Sequence, residues 1–332
     1  MSIPKSPFAA SKSRPGHGEV VLSILPPKKP VLTTINYQYP LKLVAPKPHS
    51  SPDGGHPVST VFLLTYGGGI VGGDKITLDI SLASNTRLVL LTQGSTKIFK
   101  SPTRNVVSGQ TLNVKVEPHA ALCYLPDPTQ PFGESVYEQK QNFYVDPEGT
   151  SSLCVLDWVT EGRKARGESW SLWHWQGRNE VRQLTDSTES KRKLLLRDAL
   201  LLTDSGIGSI NGLNDKTDNM GVFGTLILSG DAFKGVGEYF LTEFGNTPRI
   251  GMKNWAVGEA EKQSPEQLKR SQRLEQERHD ELLWTAARVR GFVLVKFGAR
   301  DVEGARTWLS AMIRDEGSIE RYFGEQALFC VR

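Results

Sequence analysis

The chain is poor in the residues that build disulfide scaffolds and metal centres. It holds 3 cysteines in 332 residues, Cys123, Cys154 and Cys330, and 6 scattered histidines. So sparse and odd a cysteine set excludes a secreted disulfide framework and fits a reducing compartment. No C-x-x-C or H-x-x-x-H pattern occurs, which excludes a zinc finger or a zinc-protease helix. Apolar runs are short, such as Leu88–Leu91, and fall well below a membrane span. Charge of one sign is also scarce. The 40 basic and 36 acidic side chains leave a net +4, too small and dispersed for nucleic acid as the partner.

What is present suffices for a large core. Hydrophobic residues make up 38% and charged residues 23%, which excludes disorder for the bulk of the chain. A chain this long buries about three quarters of the surface its unfolded form exposes, without disulfides or metal. Residues 1–30 carry Pro4, Pro7, Pro15, Pro26, Pro27 and Pro30 among Ser and Lys, with no apolar core of a secretory signal. They are expected to form a disordered tail of a cytoplasmic protein, followed by one domain over residues 31–332.

Period-2 alternation dominates the first two thirds. Ile76, Leu78, Ile80 and Leu82 interleave with Thr77, Asp79 and Ser81, and Leu112, Val114 and Val116 with Asn113, Lys115 and Glu117. Further strands are expected at Val61–Thr65, Arg87–Thr92, Ala121–Leu125, Ser135–Val145, Leu153–Val159, Ser169–Trp175 and Val222–Leu228, an all-β pattern. Three segments read strand, tight turn, strand: Ile80–Leu91, Val114–Leu125 and Phe143–Leu156. Their equivalent leucines, Leu88, Leu122 and Leu153, are spaced by 34 and 31 residues. Such a recurrence points to stacked rungs of a β-helical fold, or else to three unrelated hairpins. Stacked rungs would also set Cys123 beside Cys154, as small buried residues or as a soft metal pair.

The last third changes character. Ser264-Pro265-Glu266-Gln267 starts a helix, within a charged, solvated insertion at about 259–281. A strand at Gly291–Phe297 and a second helix over Val302–Arg314 follow.

Three motifs stand out. Gly67, Gly69 and Gly72 fit G-x-G-x-x-G after a strand, but Lys75–Ile80 alternates as a strand where a dinucleotide fold needs a helix. Asp74-Lys75 after Gly73 excludes a Walker A loop, which leaves a backbone bend. Leu91–Lys100 places Ser95 and Thr96 before Lys97, as an anion-binding loop or a polar connection. Trp158–Glu168 packs Glu161 and Glu168 among Arg163, Lys164 and Arg166. With Asp157 these carboxylates would suit a carbohydrate-active hydrolase; otherwise they neutralise one another on a loop.

Taken together, Gly67-Gly68-Gly69-Ile70-Val71-Gly72-Gly73-Asp74, Leu91–Lys100, Leu125-Pro126-Asp127-Pro128 and Gly162-Arg163-Lys164-Ala165-Arg166-Gly167-Glu168 resemble the urease accessory protein D family, called H in some bacteria. Tyr39-Pro40-Leu41-Lys42 resembles its entry strand. The resemblance covers Tyr37 to Trp175, and more loosely extends to Arg314. The Pro-rich tail and the charged stretch at Lys262–Asp280 depart from it and look like fungal additions.

The resemblance implies a non-enzymatic, β-helical scaffold with two late helices. It would join F-type and G-type (GTPase) accessory proteins to apo-urease and pass nickel to the urease site, with no permanently bound cofactor. Among residues matching the motifs, Asp74 and Glu168 are first candidates for nickel in transit, and Asp127 and Glu161 second. Gly67, Gly68, Gly69, Gly72, Gly73, Thr96, Lys97, Gly162, Arg163 and Gly167 are the structural motif residues. The competing expectation is that Asp74 caps a turn and Glu168 pairs with Arg163 or Arg166. The scaffold's partner surface is expected to include Trp170, Trp173 and Trp175 on one strand, with core packing the alternative for at least one face. A metal-free interaction module is a further alternative.

Overall fold

Leu88 and Leu90 face one way from their strand and Val89 and Leu91 the other, and all four are fully buried. A strand apolar on both faces must be covered on both, and this one belongs to the middle of three layers. The computed structural model describes residues 14–27, 29–55, 57–185, 193–204, 212–247 and 265–332.

In chain order the strands are β1 (His17–Leu25), β2 (Lys29–Tyr37), β3 (Leu41–Val44), β4 (Val58–Thr65), β5 (Gly69–Ile70), β6 (Lys75–Leu82), β7 (Arg87–Leu91), β8 (Thr96–Ile98) and β9 (Ser108–Val116). They continue as β10 (Ala121–Tyr124), β11 (Thr129–Pro131), β12 (Val136–Val145), β13 (Ser152–Thr160), β14 (His174–Gln183), β15 (Leu194–Thr203), β16 (Val222–Ser229), β17 (Leu283–Val289) and β18 (Phe292–Ala299). The helices are α1 (Leu213–Lys216), α2 (Lys234–Gly245), α3 (Pro265–His279), α4 (Val302–Glu316) and α5 (Ser318–Phe323).

One sheet runs β15-β14-β12-β9-β6-β1-β2, the other β17-β18-β16-β13-β10-β7-β4-β3 with the short β5, β8 and β11 beside it. The chain crosses from one sheet to the other at each tight turn: β6 to β7, β9 to β10, β12 to β13. Equivalent strands therefore lie parallel and in register, with Leu122 opposite both Leu88 and Leu153, and Cys123 opposite Cys154. The flanking strands are antiparallel. The molecule is mainly β, and its sheets are open and mixed.

Two cores result. The first lies between the sheets and joins Leu88, Leu122 and Leu153 to Leu78, Leu112 and Phe143. The second joins Val89, Cys123, Cys154 and Leu156 to Phe240, Trp308 and Phe323 of the helical layer. The outer face of the first sheet carries a polar row. Asn142 donates to Asn113 (2.8 Å), Asn113 to Asp79 (2.8 Å), and Asp79 meets His17 (2.9 Å).

Several expectations are corrected. The span expected as a tail through residue 30 contains β1 and the start of β2, inserted in the first sheet; residues 1–13 lie outside the described residues. Prolines in that span are tolerated because Pro30 sits on the edge strand β2. Ser169–Trp175 is not one strand: β14 begins at His174, and Trp170 has a positive φ of 47°. Trp170 and Trp175 are buried in the first core rather than presented to a partner, and Trp173 lies under Arg104, 5.0 Å from its ring centroid. The helix starting at Pro265 is docked rather than solvated. Arg270 and Arg273 bind Glu243 of α2 at 2.6 Å each, and Glu277 accepts from Trp308 Nε1 of α4 (3.0 Å). The rest of the expected insertion, residues 259–264, lies outside the described residues.

Gly230 ends β16 at φ 80°, and a Cβ there would fall 2.3 Å from Ser151 O and 2.5 Å from Ser152 Cα. Gly149 has φ 79° with open space around it. Gly230→Ala is expected to lose about 2–4 kcal/mol, strain plus overlap, against about 1 kcal/mol for Gly149→Ala. Denaturant unfolding checks this, and equal losses would refute the close packing.

Candidate functional site

The inward positions of the first sheet turn polar at one level. On β12 the inward series runs Tyr137, Gln139, Gln141, Phe143, so two amides interrupt an apolar face. Gln139 stands opposite Gln110 on β9, and Gln141 opposite Asn179 on β14, which in turn faces Asp198 on β15. Across the gap, the second sheet offers Asp157, Thr225 and Lys296 in register on β13, β16 and β18.

The two rows bind each other. Gln139 Nε2 and Asn179 Nδ2 each donate to Asp157 at 2.7 Å, and Lys296 pairs with Asp198. Asp157 stands in the middle layer yet keeps accessible surface, and that surface faces cavities. Burial pushes its carboxyl above the ordinary carboxylate range, with Asp198 adding to the rise and the two amide donors opposing it. Burial likewise pushes the phenols of Tyr124 and Tyr137 upward, which keeps both neutral. Gln141 Oε1, Asn179 Oδ1 and Trp175 Nε1 are buried with no protein partner.

Three cavities follow one another through this layer. The outer one, about 280 Å³, opens between Lys42, Tyr66, Gly67 and Gly68 on one side and Gln93–Thr96 on the other. It shares Thr92, Thr96 and Gln110 with a constriction of about 10 Å³ lined also by Asp127, Gln139, Gln141 and Asp157. That is room for about one water. Beyond it, sharing Asp157 and Trp158, lies a cavity of about 110 Å³ that reaches Asp198, Thr225 and Lys296. The three form a polar seam through an otherwise apolar sandwich.

The family model described as UreD urease accessory protein matches residues 16–326. The chain belongs to this family. It is similar to an "Uncharacterized urease accessory protein ureD-like" of Schizosaccharomyces pombe, 32% identical over 86% of this chain and 90% of the relative. It is 29% identical to "Urease accessory protein 4" of Cryptococcus neoformans over 65% of this chain and 70% of that one. It is also 34% identical to "Urease accessory protein D" of Oryza sativa subsp. japonica over 59% of each.

Two of the family motifs reach the seam's mouth, through Gly67-Gly68 and through Gln93–Thr96. Gly67 and Gly68 bend there with φ of 79° and 71°. Gly69 is extended, and a Cβ on it would lie 2.5 Å from Phe99 and 2.6 Å from Lys97 O. Gly72 packs on Pro102 and Lys100, and Gly73 turns at φ 94°. Thr96 lines both outer cavities, with exposed Lys97 next to it. Gly162 lends its carbonyl to Gln130 (3.0 Å), and Gly167 closes the single turn at Lys164–Arg166.

Of the four carboxylates expected to meet nickel, Asp127 is the one that lines the seam. It is held by Gly94 N (2.8 Å), Thr92 Oγ1 (3.3 Å) and Arg306 (3.2 Å). Asp74 accepts from Val71 N (3.4 Å) in the turn after the Gly-rich bend. Glu161 is engaged by Ser169 (2.6 Å) and Lys164 (3.1 Å). Glu168 takes both arms of the Arg163 fork and Gly133 N. Sequence reasoning missed Gln139, Gln141, Asn179, Asp198 and Lys296, and met Asp157 only as a hydrolase partner. The available signal was the pair of amides at inward positions of β12. Among the described residues no three His, Cys, Asp or Glu side chains gather as a metal cage. Cys123 and Cys154 are both buried and free, and burial pushes the Cys154 thiol up.

The Arg163 fork holds Glu168 below its ordinary carboxyl range. A depressed carboxyl stabilises the fold above its unfolded pKa, and that contribution is lost as pH falls through the folded one. Glu168→Gln is therefore expected to be less stable than wild type at neutral pH. The gap in thermal midpoint should close below about pH 4.5, the group's ordinary value; a pH-independent gap would show that the ion pair contributes nothing.

Proposed function

We propose that the chain serves urease maturation as a non-catalytic scaffold whose seam passes nickel toward apo-urease. The observation that carries this is the seam's donor set. Nickel binds nitrogen and sulfur clusters tightly, near the top of the divalent series, and a Cys/His cage would hold it. The seam offers amide oxygens, hydroxyls and a few carboxylates. Asp127 is offset by Arg306 and Asp198 by Lys296, so Asp157 is the one seam carboxylate without a cationic partner in contact. Such a path offers a divalent ion weak, exchangeable ligands. The parallel centre of the sandwich, taken as β-helical rungs, gives the seam rigid walls.

Family membership supports the urease assignment, since the relatives are named urease accessory proteins. F-type and G-type accessory proteins and apo-urease are the partners this function calls for, in the cytoplasm. No helix among the described residues is long and apolar enough to cross a membrane. A hydrolase is disfavoured because Glu161 and Glu168 are each held by a basic neighbour, Lys164 and Arg163.

Asp157→Ala removes the carboxylate at the constriction that has no cation in contact. Urease nickel content, by elemental analysis, is expected to fall several-fold while co-purification with the accessory partners is unchanged. Full nickel loading in that variant would exclude the seam as the route.

A further inference from the structure

We propose that the mouth of the seam is a binding site for a small oxyanion. The outer cavity is walled by Lys42 on β3, by the Gly67-Gly68 bend and by Ser95 and Thr96 of the facing loop, and no carboxylate lines it. The Lys42 ammonium stands 5.7 Å from the Tyr66 ring centroid and, among the described residues, has no ion pair. The hydroxyls of Ser95 and Thr96 bond no other protein group there. One cation, two free hydroxyls and a turn at positive φ, the kind of backbone that gathers N–H groups into an anion nest, therefore converge on one cup.

The facing loop already performs this chemistry on its inner side. Gly94, at φ 76°, donates its N–H to the Asp127 carboxylate at 2.8 Å, with the Thr92 hydroxyl beside it. The same loop brings the Ser95 and Thr96 side chains to the cup. The cup is large enough for a planar carboxylate or a tetrahedral phosphate, and one lysine suits a charge of one or two.

The site has a consequence for the cargo, and this step alone rests on the proposed nickel route. An unpaired lysine at the entrance to a cation path opposes entry. An oxyanion held on Lys42 cancels that charge and gives the arriving ion a counter-charge before the constriction.

The test needs no nickel, so the anion site and the nickel route fail separately. The full chain is titrated with inorganic phosphate and with acetate at constant ionic strength, followed by calorimetry or by amide NMR shifts at Gly67, Gly68, Gly94 and Ser95. Saturable one-to-one binding is expected, weakened at least tenfold by Lys42→Met and kept by Lys42→Arg, with an unchanged thermal midpoint. Saturation by phosphate alone identifies a free inorganic anion, and saturation by acetate alone a carboxylate such as a partner's side chain. Binding that Lys42→Met leaves intact, or no saturation by either probe, would overturn the site. Should Lys42→Met fail to fold, the double variant Ser95→Ala, Thr96→Val carries the same expectation of weakened binding.

Discussion

Strand register is the constraint on which the rest of this molecule depends. Side chains alternate with period 2, so a slip of one residue would turn every inward group outward. The leucine stack Leu88–Leu122–Leu153 pins the second sheet, and the row Ile80–Val114–Phe143 pins the first. With that register fixed, Asp157, Thr225 and Lys296 have no choice but to face Gln139, Asn179 and Asp198. The apolar core and the polar seam are two consequences of one alignment.

Polar groups between two sheets are costly unless partnered, and the seam meets that demand across the gap rather than within a strand. Asp157 takes an amide from each of two neighbouring strands, and Lys296 reaches over to Asp198. The same layer leaves Gln141 Oε1 and Asn179 Oδ1 without protein partners. A sandwich built only for stability would fill these positions with aliphatic side chains, as it does at Leu78, Leu112 and Val114 a few residues away. Keeping amides and a carboxylate at one level is a local departure from good packing, of the sort that functional sites show.

Much of the fold is legible in the chain itself. Alternation located the central strands, the recurrent leucines fall in register, and Pro265 and Val302 begin helices where caps and periodicity place them. Other elements were hidden for physical reasons. The helix α2 contains Gly235, Gly237 and several aromatic or β-branched residues, poor helix formers, and owes its form to Val236 and Phe240 packing into the second core. The strand β1 was masked by flanking prolines. The site was harder still. Motif residues such as Asp74 and Glu168 draw attention through charge and spacing, yet they brace their own turns and line no part of the seam. The seam's own residues are ordinary amides on strands, and their meaning lies in contacts such as Asp157 with Asn179 and Asp198 with Lys296, set by tertiary register.

The central claim is that urease receives its nickel with the help of this chain. The most direct measurement is nickel per urease protomer, by elemental analysis of urease purified from cells with and without the gene. The account predicts abundant but nickel-free urease when the chain is absent, restored when it is supplied. Normally loaded urease in its absence would contradict the account.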